Sequence, residues 1–204
     1  HQGGKSVVII EFSNDVKILY KPHELAIDKR FEKLMKWLKD NILGIHDYIM
    51  PKTISTKEYG FSEFIKYHNC KHLKEVEWFY ERIGELLAVL YSLNSSDLHY
   101  ENIIACGEYP VLIDLETLIH PRLINKANEE NNSAYAKAEK KYNNSVATIG
   151  MLPTYMKGNL EVGGLGAAKE QESTFKTEFV EDSHRDSIHI VRKHFKIKRN
   201  RIIL

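Results

Sequence analysis

Five side chains have the types and order that phosphoryl transfer requires: Lys21, Asp97, His99, Asn102 and Asp114. Asp97, His99 and Asn102 sit in the polar stretch Asp97-Leu98-His99-Tyr100-Glu101-Asn102. The apolar Ile103-Ile104-Ala105 follows, then a turn at Gly107-Glu108-Tyr109-Pro110, then Val111-Leu112-Ile113 ending at Asp114. A hairpin of that size sets Asn102 and Asp114 at one edge. Two oxygen donors there suit Mg²⁺, a hard cation that takes few protein ligands and completes its shell with phosphate oxygens. Asp97, earlier on the loop, is placed to orient or deprotonate an attacking hydroxyl. Lys21 ends a strand before a helix, where a cation can neutralise the α- and β-phosphates of a nucleotide. A lone loop aspartate is usually a cap, and a lone strand-end lysine is usually solvated. The ordered set carries the reading.

The elements that must position these residues are legible from periodicity. Ser6–Phe12 and Val16–Tyr20 are β-branched and apolar, separated by the turn residues Ser13-Asn14-Asp15, and read as a hairpin closed by Lys21-Pro22. Ile27, Phe31, Leu34, Met35, Leu38 and Ile42 recur at helical spacing and predict a helix over Ala26–Asn41. Pro51–Thr56 and Tyr59–Ile65 read as short strands. Val76, Phe79, Ile83, Leu86, Leu90 and Leu93 form a second helical stripe facing a core, ended by Asn94-Ser95-Ser96. The Ala-, Lys- and Asn-rich Asn125–Asn144 reads as an exposed helix or a mobile insertion. Gly158–Gly166 lacks a following Lys-Ser/Thr, so it is no P-loop, and it reads as a flexible segment like an activation loop. His1–Ser6, which opens the first hairpin, is the better phosphate-facing turn. A strand-rich start, a helical middle and a late hairpin predict an α+β fold with two lobes.

Composition narrows the function classes. The 204 residues carry 29 Lys and Arg against 28 Asp and Glu, and 43% are hydrophobic, which excludes a disordered chain. No apolar run approaches the ~20 residues of a membrane span. Two cysteines, Cys70 and Cys106, predict a reducing, cytoplasmic setting rather than a disulfide scaffold, and they are too few and too far apart for a zinc cluster. Residues 192–201 hold six cations and no acid, leaving a formal net charge of −5 on the rest. That run reads first as a solvated tail and second as a peripheral contact for an anionic membrane surface. No aromatic-interleaved groove or recognised module supports nucleic acid as a partner.

The order Lys, helix, helix, Asp-x-His-x-x-Asn, hairpin, Asp resembles a kinase catalytic loop followed by a metal-binding strand, in a form closer to lipid kinases. Longer strings are more specific. Lys17-Ile18-Leu19-Tyr20-Lys21-Pro22, the stretch Ser96 to Ala105 that contains Asp-Leu-His-Tyr-Glu-Asn, and the stretch Gly107 to Pro121 resemble class II lanthipeptide synthetases of the LanM type. The start His1 to Val7 and the segment Phe79 to Leu93 fit as well, so the resemblance spans most of the chain. It implies a bifunctional dehydratase with a lipid-kinase-like core, of which this chain is an incomplete portion. It further implies ATP and Mg²⁺ as cofactors and a leader-core precursor peptide as substrate. Ser and Thr of that peptide are phosphorylated, and phosphate is then eliminated to give dehydroalanine and dehydrobutyrine. By resemblance Lys21 matches the phosphate-binding lysine, Asp97, His99 and Asn102 match the catalytic loop, and Asp114 matches the metal aspartate with Glu116 beside it. His1 matches the second half of an upstream Asp-x-His element.

The same resemblance implies partners outside this chain: the remaining dehydratase segments, with the residues for phosphate elimination beyond Leu204, and a separate zinc cyclase. Within the chain it suggests an N-lobe-like portion over 1–72, a catalytic-loop portion over 73–191 and a basic tail over 192–204. Two other readings compete. One is a non-catalytic module that binds nucleotide or peptide. The other is a metal-dependent phosphoesterase, since Asp-x-His also opens two-metal sites. His120, His184, His189 and His194 would have to complete that site, and none sits in the required setting.

Overall fold

In the computed structural model, which describes residues 6–120, 133–156, 160–166, 170–182 and 186–197, the chain opens on an antiparallel hairpin. Strand β1 (Val8–Glu11) pairs with β2 (Lys17–Lys21) in the register Val8↔Tyr20 and Ile10↔Ile18. The turn between them places Asp15 at a φ of 62°, a conformation aspartate tolerates. Strand β4 (Gly60–Glu63) covers the other edge of β2, and β3 (Thr53–Ser55) covers β4, giving the sheet order β1-β2-β4-β3. Side-chain alternation along β2 sends Tyr20 to one face, where its ring lies 5.7 Å from that of Phe61. Lys21 goes to the opposite face and is buried, with 7% of its surface exposed.

Helix α1 (Ala26–Asn41) has the predicted limits. No side chain caps its start; instead the Leu25 amide donates to Ser55 Oγ at 2.8 Å, so strand β3 anchors the helix entry. Phe31 and Met35 are buried, and Ile27, Leu34 and Leu38 pack against the same core. Ile42, expected on that stripe, lies beyond the last turn in extended backbone and is exposed.

Helix α2 (Leu73–Ser92) is the centre of the molecule. His72 accepts the Glu75 amide at its N-terminus, and Phe79, Ile83, Leu86 and Leu90 are buried along one face. Arg82 is buried too and joins three pieces of chain. Its Nε donates to the Asp47 carbonyl, its guanidinium pairs with Glu108 at 2.9 Å, and it stacks 4.4 Å from the Tyr109 ring. Burial alone would raise the Glu85 carboxyl, but hydrogen bonds from Tyr48 and His46 hold it below the ordinary value.

Strands β5 (Ile103–Cys106) and β6 (Tyr109–Leu112) form the small hairpin, in the register Ile103↔Leu112 through Cys106↔Tyr109. The expected four-residue turn shrinks to Gly107-Glu108, with Gly107 at a φ of 60°. Pro110 is accommodated inside β6 because the ladder has two strands, and the proline nitrogen falls opposite Ala105 at a rung that exchanges no hydrogen bond. One continuous core joins α1, α2, this hairpin and the segments around Leu98, Leu115, Leu118, Ile149 and Met151. The described architecture is therefore α+β, with the hairpin seated on α2.

Helix α3 (Ala134–Asn143) is capped by Ser133 and buries none of its side chains, which resolves the 125–144 expectation toward an exposed helix over that span. Residues 121–132 lie outside the described residues. A 3-10 turn over Val146–Ile149 returns the chain to the core. After a short pair, β7 (Tyr155–Met156) with β8 (Leu160–Glu161), a long hairpin forms from β9 (Gln171–Glu181) and β10 (His189–Ile197). The boundary expected at residue 192 falls inside β10. Arg192 pairs with Glu178 at 2.6 Å, Lys193 with Glu181, and Lys196 with Glu172 at 3.7 Å. Cross-strand acids thus neutralise the described half of the basic run. Lys198, Arg199 and Arg201 lie outside the described residues. Among the described residues no helix is long and apolar enough to cross a membrane.

Candidate active site

Two strand ends that are far apart in sequence meet here. The Lys21 ammonium donates to the Ile113 carbonyl at 2.6 Å across 92 residues of sequence. Ile113 directly precedes Asp114, so the end of β2 is held beside the end of β6. The Ile113 amide donates to the Asn102 carbonyl at 3.1 Å, the last rung of the β5–β6 ladder. Asn102 and Asp114 therefore emerge at the same end of the hairpin, next to the lysine.

The loop before β5 is fixed by its own backbone and by its neighbours. Asn102 Nδ2 donates to the Asp97 carbonyl at 2.7 Å, and the Asn102 amide donates to the His99 carbonyl at 3.0 Å. Asp97 takes a φ of 61°, a left-handed conformation that aspartate tolerates better than most residues. Its carboxylate is exposed, and its Oδ1 lies 3.9 Å from His99 Nε2. Leu98 between them is buried and donates its amide to the Ile149 carbonyl at 2.8 Å. Ser95 Oγ donates to the Leu118 carbonyl and Thr117 Oγ1 to the Ser96 carbonyl, both at 2.5 Å. The strand exit that carries Asp114 thus runs alongside the entry to Asp97.

The glycine-rich segment also belongs to this support. Among its described residues, Gly164 donates its amide to the Gly150 carbonyl at 2.8 Å, and Gly163 bridges to His99. A Cβ on Gly164 would lie 2.6 Å from the Leu98 carbonyl oxygen. Gly163 and Gly164 are needed because two backbones touch, so the described part of this segment is packed rather than an open loop; Gly158 lies outside the described residues. Gly164→Ala is expected to cost about 1–3 kcal/mol, as overpacked interiors do, and to displace the Asp97 loop. Thermal unfolding together with nucleotide titration checks both effects.

Two residues absent from the sequence reading complete the picture. His23 Nδ1 lies 2.8 Å from Glu116 Oε1, tying the loop after β2 to the loop after β6. Asp28, in the first turn of α1, has its carboxyl pushed above its ordinary value of 3.8 by burial. The Lys21 ammonium opposes that rise and the Asp114 charge adds to it, so all three share one electrostatic environment. Asp28 has no ion-pair partner among the described residues. A carboxyl whose folded pKa is raised costs stability while ionised, and the cost fades as pH falls through that raised value toward the unfolded one. The stability advantage of Asp28→Asn over the parent chain should therefore shrink between pH 7 and pH 4, as read by urea unfolding at each pH. A helix N-terminal aspartate gave no sequence signal beyond a favourable dipole contact.

Asn102 and Asp114 offer the hard oxygen donors that Mg²⁺ prefers, and Lys21 supplies a cation for phosphate beside them. Asp114 Oδ1 accepts the Glu116 amide at 3.4 Å, and the Glu116 side chain is engaged by His23. Among the described residues no three His, Cys, Asp or Glu side chains converge on a metal-sized site. His1, expected to face phosphate, lies outside the described residues, as does His184. Of the other histidines that a two-metal site would need, His189 and His194 sit on β10, where their Nδ1 atoms contact the Ser187 and Ser173 carbonyls.

Comparison with known proteins agrees with the motifs. The lacticin 481/lactococcin biosynthesis protein LcnDR2 of Lactococcus lactis subsp. lactis is 33% identical over 159 residues, covering 74% of this chain. The aligned part is 17% of that protein's length. The family described as a domain of unknown function, DUF4135, matches residues 1–204. The chain belongs to the DUF4135 family, a domain associated with lanthipeptide synthetases.

Proposed function

We propose that this domain acts in lanthipeptide biosynthesis, transferring the γ-phosphoryl group of ATP to Ser and Thr of a precursor peptide. The observation that carries the reading is the junction of Lys21 with Ile113, which sets a buried cation beside Asn102 and Asp114. Asn102 and Asp114 would hold Mg²⁺, which supplies charge neutralisation for the phosphates when bound. Lys21 would leave the Ile113 carbonyl to meet phosphate oxygens. The peptide hydroxyl oxygen forms the new bond to the γ-phosphorus, the bond to the β,γ-bridging oxygen breaks, and ADP leaves. Asp97 orients the hydroxyl and takes its proton, with His99 close enough to steady the carboxylate. Elimination is a separate step assigned to segments outside this chain: a base there would take the α-proton, the Cβ–oxygen bond would break and phosphate would leave, giving the dehydroamino acid. The relative's role in making lacticin 481 supports the substrate class. The two-lobed, lipid-kinase-like description of the core and a cytoplasmic location belong to the same proposal.

The test is incubation of the chain with ATP, Mg²⁺ and a lacticin-type precursor peptide, followed by mass spectrometry. Peptide heavier by phosphate supports the proposal, whereas peptide lighter by water would show that this chain carries an elimination site of its own. Tight Mg²⁺-dependent nucleotide binding with unchanged peptide favours the non-catalytic binding module. Absence of nucleotide binding refutes the site.

A further inference from the structure

Building on that reading, we propose that His23 is a positioning residue for the phosphate end of the site and that Glu116 is its clasp partner rather than a metal ligand. Two cross-ties join the same pair of loops. Lys21 Nζ reaches the Ile113 carbonyl at 2.6 Å, and His23 Nδ1 reaches Glu116 Oε1 at 2.8 Å. His23 follows Lys21 by two residues, and Glu116 follows Asp114 by two. The clasp therefore brackets both the cation and the aspartate.

The connections on each side are stiff. Pro22 stands between Lys21 and His23 and fixes the backbone φ there, so a shift of the imidazole is passed to the lysine. On the other side the Glu116 amide donates to Asp114 Oδ1 at 3.4 Å, so the turn that carries the clasp also orients the aspartate. Lys21 must exchange a carbonyl for phosphate oxygens when nucleotide binds. During that exchange the His23–Glu116 contact is, among the described residues, the remaining side-chain tie between these two loops. Its role is to keep Lys21 and Asp114 facing each other while the first tie is open. The Glu116 side chain is 62% exposed and that of His23 29% exposed, so the contact is a modest one. A pair of that exposure changes affinity by about three- to fivefold.

The experiment compares Mg·ATP and adenosine binding by the full chain, using isothermal titration calorimetry. The variants are His23→Ala, Glu116→Ala, the double variant, and the exchange His23→Glu with Glu116→His. Each single variant should weaken Mg·ATP binding by about three- to fivefold and leave adenosine binding unchanged. The double variant should be no weaker than either single one, and the exchange should recover most of the loss. Equal weakening toward adenosine, or additive losses in the double variant, overturns the proposal. So does a fall in Mg²⁺ affinity confined to Glu116→Ala, since that would make Glu116 a ligand. If the parent chain binds no Mg·ATP, the phosphoryl-transfer reading fails and the clasp role fails with it. Parent binding with unaffected variants defeats the clasp alone.

Discussion

Replacing Lys21 with methionine is expected to lower phosphorylation of the peptide by about 10²–10³-fold while the fold survives. The magnitude is that of removing one preorganised charged donor from a developing anionic transition state. Methionine has nearly the length of lysine and suits a buried position, so packing around the end of β2 should persist. The structural cost is the Ile113 carbonyl, which loses its 2.6 Å donor. A single unmet hydrogen bond of this kind costs about 1 kcal/mol, or about 2–4 °C in melting temperature for a domain of this size. Quenched-flow or mass-based phosphorylation rates, taken with a melting curve, separate the two effects. A variant that phosphorylates at the parent rate would remove Lys21 from the chemistry.

Asp114→Asn should be as severe and should show itself through Mg²⁺. The substitution keeps the shape and the Oδ1 acceptor for the Glu116 amide but removes a full negative charge. One unit charge at ~4 Å in surroundings of effective dielectric ~20 is about 4 kcal/mol, so Mg²⁺-dependent nucleotide binding should weaken by about 10²–10³-fold. Raising Mg²⁺ should recover part of the loss. Asp114 also repels the half-buried Asp28 carboxyl, so the neutral variant relieves some of that burden, and the folded state should hold its stability at neutral pH. Unchanged Mg²⁺ dependence would place the metal elsewhere.

How much of this was legible beforehand differs by element. The α1 limits follow from a clear 3.6-residue stripe and are the same in the structure, except that Ile42 falls past the helix end, where the stripe no longer meets the core. The α2 stripe was equally plain, because five of its six named residues are buried or pack on one core. The β5–β6 hairpin was visible as two short apolar runs around a glycine, but its turn was overlong because Pro110 normally argues against a strand. Whether a proline is tolerated depends on which rung it occupies, and a pairing register is a property of two strands, not one.

Local pattern and residue type establish the α+β inventory, the Asp97-to-Asn102 loop and the placement of Asn102 and Asp114 at one hairpin end. Each of those depends on interactions within about 20 residues, where periodicity and turn chemistry constrain the chain directly. Contacts between distant segments decide the rest. The Lys21–Ile113 tie, the His23–Glu116 clasp and the repulsion between Asp28 and Asp114 join residues about 90 apart, and no local signal ranks one such pairing above another. The glycine-rich stretch and the basic run make the same point. Each reads as mobile because its composition suits a loop or a tail, and the described part of each packs or pairs with a neighbour: Leu98 beneath Gly164, and the glutamates of β9 opposite the cations of β10. Composition describes what a segment can do alone, whereas packing and charge pairing depend on what the fold sets beside it.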